Sequence, residues 1–292
     1  MSTPRIFVVT GANKGIGLAT VKALCEAVGS ESIVYLTARS VERGTKAVED
    51  LAKSGLKPRF HPLDVDDASS IETFATFLKK EYGGLDVLVN NAAIGYKEDA
   101  PEPYGVQAEH TVRVNYFGLQ AVCNALFPLL RPHARVVNVS SSVGHLSWVN
   151  GEELRRQLAD PALTVEQLDN IMRDFVKAAA AEKKQHVQLG WRDVQYAPYV
   201  ASKVGVSALT RIQQRMLDQD PREDIVVNHC HPGYVKTDST GNKGVFTAER
   251  GAVCPTYLAL LPPNVASPRG EYVWHDKVVL DWVNADLPHP GY

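Results

Sequence analysis

Cysteine is scarce in this 292-residue chain, and the four present, Cys25, Cys123, Cys230 and Cys254, form no CxxC pair and no Cys/His metal spacing. Scattered thiols of this kind make neither a disulfide framework nor a zinc site, so no metal is expected and reduced cysteines in the cytosol are the simplest reading. An excess of one charge is also missing. A formal net charge of −2 sets up no general field for nucleic acid or an anionic membrane, so neither partner is expected and any anion site must be local. No apolar run approaches the roughly 18 residues that a membrane-spanning helix needs. The opening MSTPRIFVVTGA reaches a glycine turn too soon to hold the apolar core of a signal peptide. Repeats and low-complexity tracts are lacking too, and only the tail DLPHPGY (286–292) has a poorly ordered composition. The expectation is a cytoplasmic protein of one domain spanning residues 1–292.

What is present is patterned. Apolar, β-branched runs occur at IFVV (6–9), SIVYLTA (32–38), PRFHPLDV (58–65), LDVLVNN (85–91), RVVNVSS (135–141) and IVVNHC (225–230), with a weaker one at EYVW (271–274). Continuous apolar strands separated by helical patterns predict an α/β, doubly wound (Rossmann) parallel sheet with helices on both faces and ligands at the carboxyl ends of the strands. One segment breaks the alternation: 57 residues separate Ser141 from Tyr199, too many for a plain loop. Within it TVEQ (164–167) reads as a capping box, and Leu168, Ile171, Met172, Phe175, Val176 and Ala179 follow at helical spacing. A helical insertion at about 145–195 is therefore expected, with one face to bury.

The first strand runs into TGANKGIG (10–17). Gly11, Gly15 and Gly17 there permit a tight turn and close approach of backbone to a pyrophosphate, which the free N–H groups of the following helix attract. An NAD site would place a carboxylate at the end of the second strand to hold the ribose. This strand instead ends LTARS, with Ala38 and Arg39. Cations suit a 2′-phosphate, so Arg39, Arg43 and Lys14 point to NADP(H).

Near the middle, YVASK (199–203) sets Tyr199 four residues before Lys203. Residues at i and i+4 are neighbours on a helix, and a nearby ammonium lowers a tyrosine pKa, which suits Tyr199 to proton donation near neutral pH.

The motifs TGANKGIG, LDV (63–65), NNAA (90–93), VNYFG (114–118), NVSSSVG (138–144), YVASK and PG (232–233) stand in one order, and together they resemble the short-chain dehydrogenase/reductase family over roughly residues 5–275. ANKGIG, TARSVERG, YLALLPP (257–263) and the long insertion are similar to its NADPH-dependent carbonyl reductase branch. The resemblance implies a reductase of small-molecule ketones, aldehydes or quinones. In that picture Tyr199 is the general acid and Lys203 holds the nicotinamide ribose. Ser141, three before Gly144, polarises the carbonyl, and Asn115 anchors a water. It also implies cofactor contacts at Gly11, Asn13, Lys14, Gly15, Ile16 and Gly17, at Asp64 and Val65 beside the adenine, and at Asn91 and Ala92. Pro232, Gly233, Val235 and Thr237 lie along the carboxamide end.

Ser142, Trp148 and Tyr234 are candidates for the substrate side. His231 and Tyr234 depart from the Cys and Trp that the branch often shows. Two further readings stay open: an NADP-dependent alcohol dehydrogenase for a steroid- or prostaglandin-like substrate, and a catalytically silent NADP(H)-sensing module that binds a protein. Compact members of the family pair through the helix bearing the Tyr and Lys. The insertion enters beside that helix and is expected to cover it, giving a monomer.

Overall fold

Each central strand is apolar on both faces because each face meets a layer of helices. The computed structural model describes residues 4–97, 99–181 and 185–288, and residues 289–292 of the tail lie outside them. The strands are β1 (Arg5–Val9), β2 (Ser32–Ala38), β3 (Arg59–Pro62), β4 (Leu85–Asn90), β5 (Leu130–Val139), β6 (Val226–Cys230), β7 (Tyr272–Val273) and β8 (Val279–Leu280). They form one sheet in the order β3-β2-β1-β4-β5-β6-β7-β8, parallel throughout except for the antiparallel β7–β8 pair. The order reverses at β1 and β4, which opens a crevice at their carboxyl ends.

Alternation along the strands sorts the core. Phe7, Val9, Val87 and Val89 pack with Val21 and Leu24 of α1 (Gly15–Val28), Leu51 of α2 (Val41–Ala52) and Leu258 of α10 (Ala248–Ala259). Ile6, Val8 and Leu88 face the other way, onto Phe74 and Leu78 of α3 (Ala68–Tyr82) and Leu126 of α5 (Leu119–Leu126). That second layer also holds α4 (Tyr104–Val112), a π-helical turn (Arg113–Gly118) and α9 (Ala197–Leu217).

The insertion holds two substantial helices where the periodicity predicts one: α6 (Glu152–Ala159) and α7 (Val165–Ala180), followed by the short α8 (Gln185–Gln188). Thr164 and Gln167 form the capping box reciprocally. Leu168, Met172 and Phe175 are fully buried, and α7 lies against both α4 and α9.

Some strand bounds differ from expectation, and one strand is added. β3 spans Arg59–Pro62, with Leu63 N–H still donating to Ala38 O at 3.1 Å, and Asp64 and Val65 lie in the loop beyond. β5 ends at Val139, leaving Ser140 and Ser141 outside it. β8 is unexpected, since Val279–Leu280 is too short to show a period; Lys277 in the left-handed region (φ 76°) turns the chain into it.

Candidate active site

At the carboxyl end of β1, Thr10 Oγ1 accepts the Asn91 and Ala92 N–H groups, both at 3.0 Å, and Asn91 Nδ2 donates to Thr10 O at 2.9 Å. The ends of β1 and β4 are thereby tied together. A Cβ on Gly11 (φ 61°) would lie 2.7 Å from Ala92 Cα, and one on Gly17 would lie 2.4 Å from Asn91 Nδ2. Only glycine lets the turn nest here. Lys14 occupies the N-cap of α1 without a side-chain cap bond, and no acidic residue stands in the first turn. The first N–H groups of α1 are therefore left for a ligand, with the helix dipole favouring an anion.

Around this turn, Lys14 Nζ pairs with Asp238 Oδ2, both exposed, which binds the glycine turn to the segment that starts at Thr237. Gly15 stands near the same segment, for a Cβ there would lie 3.4 Å from Thr237 Cγ2. Lys14 is thus engaged across the crevice, whereas Arg39 and Arg43 are exposed at the end of β2, and among the described residues no carboxylate pairs with either. Asp64 is half-buried, its N–H bonded to Ser70 Oγ at 2.9 Å. Asn13 and Ile16 stand in the turn, half-buried. Pro232 and Val235 are buried and Gly233 is half-buried, with Val235 bridged to Phe246.

Ser141, Tyr199 and Lys203 come together at the carboxyl end of β5. Tyr199 lies in the first turn of α9, which Pro198 opens without sacrificing a helical hydrogen bond. Burial pushes its phenol pKa above the ordinary value of 10, and the neighbouring Ser141 side chain pulls it back down. Lys203 Nζ lies 5.6 Å from the centroid of the Tyr199 ring and donates to Val139 O at 2.8 Å. Burial lowers its pKa to about 8. The i, i+4 spacing thus sets the ammonium over the ring, while burial, opposed by Ser141, raises the phenol pKa. The serine run also resolves, for Ser140 Oγ is tied to Lys203 O (3.1 Å) and Ser207 Oγ (2.8 Å).

Asn115, in the π-helical turn, gives both amide hydrogens to protein acceptors, Ile94 O at 2.9 Å and Ser202 Oγ at 3.0 Å. Its Oδ1 accepts from Ile94 N at 2.8 Å. The side chain thus fixes the loop after β4 against α9, where a Cβ on Gly95 would lie 3.5 Å from the Tyr199 ring.

A small cleft opens beside Tyr199, lined by Tyr96, Lys97, Gln107, Thr111, Gln195, Tyr196, Pro198 and Tyr199 itself. Ser142, Trp148 and Tyr234 do not line it. Trp148 stands behind Tyr196 (ring centroids 6.1 Å) with Arg192 over its ring at 4.5 Å. The Ser142 N–H is bonded to His231, and the Tyr234 carbonyl accepts from Val245 and Phe246. Tyr96 and Lys97 follow NNAA by a few residues, and Gln195 and Tyr196 precede YVASK with only Ala197 and Pro198 between; nearness to those motifs was the available signal. Among the described residues no group of three or more His, Cys, Asp or Glu is arranged to hold a metal ion, and no helix is long and apolar enough to cross a membrane.

A glycine turn before an uncapped helix and a Tyr-Lys-Ser cluster at the switch point of a parallel sheet define a nucleotide-dependent dehydrogenase. Residues 5–152 match the family model described as short chain dehydrogenase, and the chain belongs to that family. More particularly, it is 46% identical over 283 residues to carbonyl reductase (NADPH) 3 of Homo sapiens, covering 96% of this chain and 99% of that protein. It is 45% identical over 285 residues to carbonyl reductase (NADPH) 1 of Rattus norvegicus, with 97% and 100% covered. Among solved structures, salutaridine reductase from Papaver somniferum superposes with a TM-score of 0.81 at 33% identity, covering 92% of this chain and 99% of that one.

Proposed function

We propose that this protein is an NADPH-dependent reductase of ketones, aldehydes or quinones, with Tyr199 as its general acid. The observation that carries this reading is the Tyr199 ring with the Lys203 Nζ 5.6 Å from its centroid, beside a cleft that Tyr199 itself lines. Named NADPH carbonyl reductases similar over nearly the whole chain support it.

The nucleotide fits the residues present. Gly11, Gly15 and Gly17 bring backbone close, the uncapped α1 N-terminus takes the pyrophosphate, and Arg39 and Arg43 suit the 2′-phosphate. When bound, NADPH supplies the hydride. The chain supplies the proton and the placement. Burial keeps the Tyr199 phenol protonated at neutral pH, so it can donate to a carbonyl oxygen as negative charge develops there. Ser141 hydrogen-bonds the phenolate that remains, and the Lys203 ammonium over the ring opposes its charge. Asn115, through Ile94, holds the cleft wall against Tyr199. A reducing, cytosolic setting agrees with the four free cysteines, and the packing of α7 supports a monomer.

Tyr199→Phe tests the assignment. General acid catalysis is worth about 10²- to 10⁴-fold, so kcat for NADPH oxidation with quinones or aromatic aldehydes should fall by at least about 10²-fold. NADPH binding, followed by fluorescence, should be unchanged. A variant that keeps more than about a tenth of kcat removes Tyr199 from the acid role. A wild-type protein that turns over no carbonyl in such a panel refutes the reductase reading.

A further inference from the structure

The peptide unit joining Ser141 to Ser142 is held at both ends by side chains from distant strands. Tyr272 of β7 donates its phenol hydrogen to the Ser141 carbonyl oxygen at 2.8 Å. His231, immediately after β6, accepts the Ser142 N–H at Nδ1 at 2.9 Å. A peptide unit is planar, so fixing its oxygen and its hydrogen fixes the whole plane. Ser141 Cα is one corner of that plane. On its other side Ser140 N–H is held by Cys230 O at 2.9 Å, so the backbone is pinned before and after Ser141 (ψ 165°, extended), and with it the direction in which its Cβ leaves.

The surroundings of both side chains hold them in these bonds. His231 is 2% exposed and packs on Trp274 with ring centroids 4.4 Å apart. Accepting at Nδ1 requires a neutral ring carrying its proton on Nε2, and burial keeps the ring neutral by lowering its pKa to about 3. Among the described residues, the hydrogen bond that holds the ring is the one at Nδ1. The Tyr272 ring is fully buried, 5.1 Å from His229 and 5.7 Å from His145 between centroids. It stands in register opposite His229 on the neighbouring strand, which fixes where its hydroxyl reaches.

We propose that His231 and Tyr272 are positioning residues for the reduction site, clamping the 141–142 peptide plane so that the Ser141 hydroxyl is aimed at the Tyr199 phenol. This rests on the reading of Ser141 and Tyr199 as the reacting pair. It also accounts for the departure at His231, whose imidazole supplies the acceptor for the Ser142 N–H.

The test is a set of variants assayed for kcat and for NADPH affinity by fluorescence. His231→Leu removes the acceptor, His231→Asn returns one at a similar reach, and Tyr272→Phe removes a single hydroxyl. Misplacement of a reacting group by about 1 Å can lower a rate by about 10²-fold. His231→Leu and Tyr272→Phe are each expected to lower kcat about tenfold, leaving NADPH affinity unchanged, with His231→Asn recovering most of the loss. In a Ser141→Ala background, itself strongly impaired, neither change should lower the residual rate further, because groups acting through one hydroxyl are not additive. Equal losses in both backgrounds overturn the proposal, as does a wild-type kcat for His231→Leu or Tyr272→Phe, or an Asn variant no better than Leu. A fully active Ser141→Ala overturns the reading of the serine as well, so the two failures are told apart. If His231→Leu does not fold, Tyr272→Phe alone decides.

Discussion

Arg39 stands one residue beyond β2, exposed, where an NAD site would carry a carboxylate. Lys14 is already paired with Asp238, so we propose that Arg39 chiefly discriminates for the 2′-phosphate, with Arg43 a turn further along. A hydrogen bond to a charged group is worth about 1.5–3 kcal/mol, or roughly tenfold to a hundredfold in affinity. Ala38→Asp combined with Arg39→Ala should therefore move the ratio of kcat/KM for NADPH and NADH toward NADH by at least about tenfold; equal kcat/KM for the two cofactors in the wild type would refute the role. Much of the site was legible at this scale because its signals are local. The glycine turn is contiguous, and four residues bring Tyr199 and Lys203 to one helix face. The cleft wall was not legible, since Tyr96 and Gln195 lie 99 residues apart in the chain and meet only through the fold. Nor was the Tyr272 bond to Ser141, which spans 131 residues.

At the scale of elements, Asp224 fastens the end of the sheet opposite the site. Its Oδ2 accepts from Arg135 of β5 at 2.8 Å and from the Asn264 N–H at 2.7 Å, and its Oδ1 accepts from Arg269 at 3.1 Å. Burial alone would raise its pKa, but hydrogen bonds from Asn264, Arg135 and His133 outweigh burial and hold it at about 2. A folded pKa below the unfolded value of about 3.9 means stability present above that pH and lost as pH falls through about 2, to the extent of roughly 2 kcal/mol. Asp224→Asn leaves the buried Arg135 guanidinium without its counter-charge, and urea unfolding at pH 7 should show a loss of about 3–5 kcal/mol. The gap to wild type should narrow as pH approaches 2. A loss under about 1 kcal/mol would mean the network adds little to stability. The elements themselves were legible where they are long and apolar, which is why β1, β2, β4 and β6 stand within a residue or so of their runs. Short or polar pieces were not. α6, EELRRQLA, buries only Leu154 and Leu158, too few apolar positions to mark a period, and the π-helical turn around Asn115 extends α4 with no break in pattern.

For the whole molecule, the question is what covers the surface formed by α4 and α9. In compact relatives, the resemblance implies, the tyrosine helix pairs with its copy in a second subunit. Here α7 lies on it. Leu168, Met172 and Phe175 are fully buried, with Ile171 and Val176 packed against the same cluster. Burial of a large apolar side chain contributes roughly 1.5–3 kcal/mol, so the three together hold α7 in place with about 5–9 kcal/mol before its ordering entropy is counted. Tyr116 and Gln120 add direction: both donate to Asp169 Oδ1 at 2.9 Å, tying α7 to the π-helical turn and α5. A symmetric dimer through α9 would have to displace this helix and expose its apolar face, which no isologous contact through the same surface could cover at once. The protein is therefore expected to be a monomer. Sedimentation equilibrium at micromolar concentration should return a mass near 32.0 kDa. A stable species of twice that mass would show either that α7 leaves α9 in solution or that another face of the molecule carries the pairing, and hydrogen exchange in α7 separates the two: slow exchange there in a dimer places the interface elsewhere, whereas fast exchange refutes the packing of α7 itself.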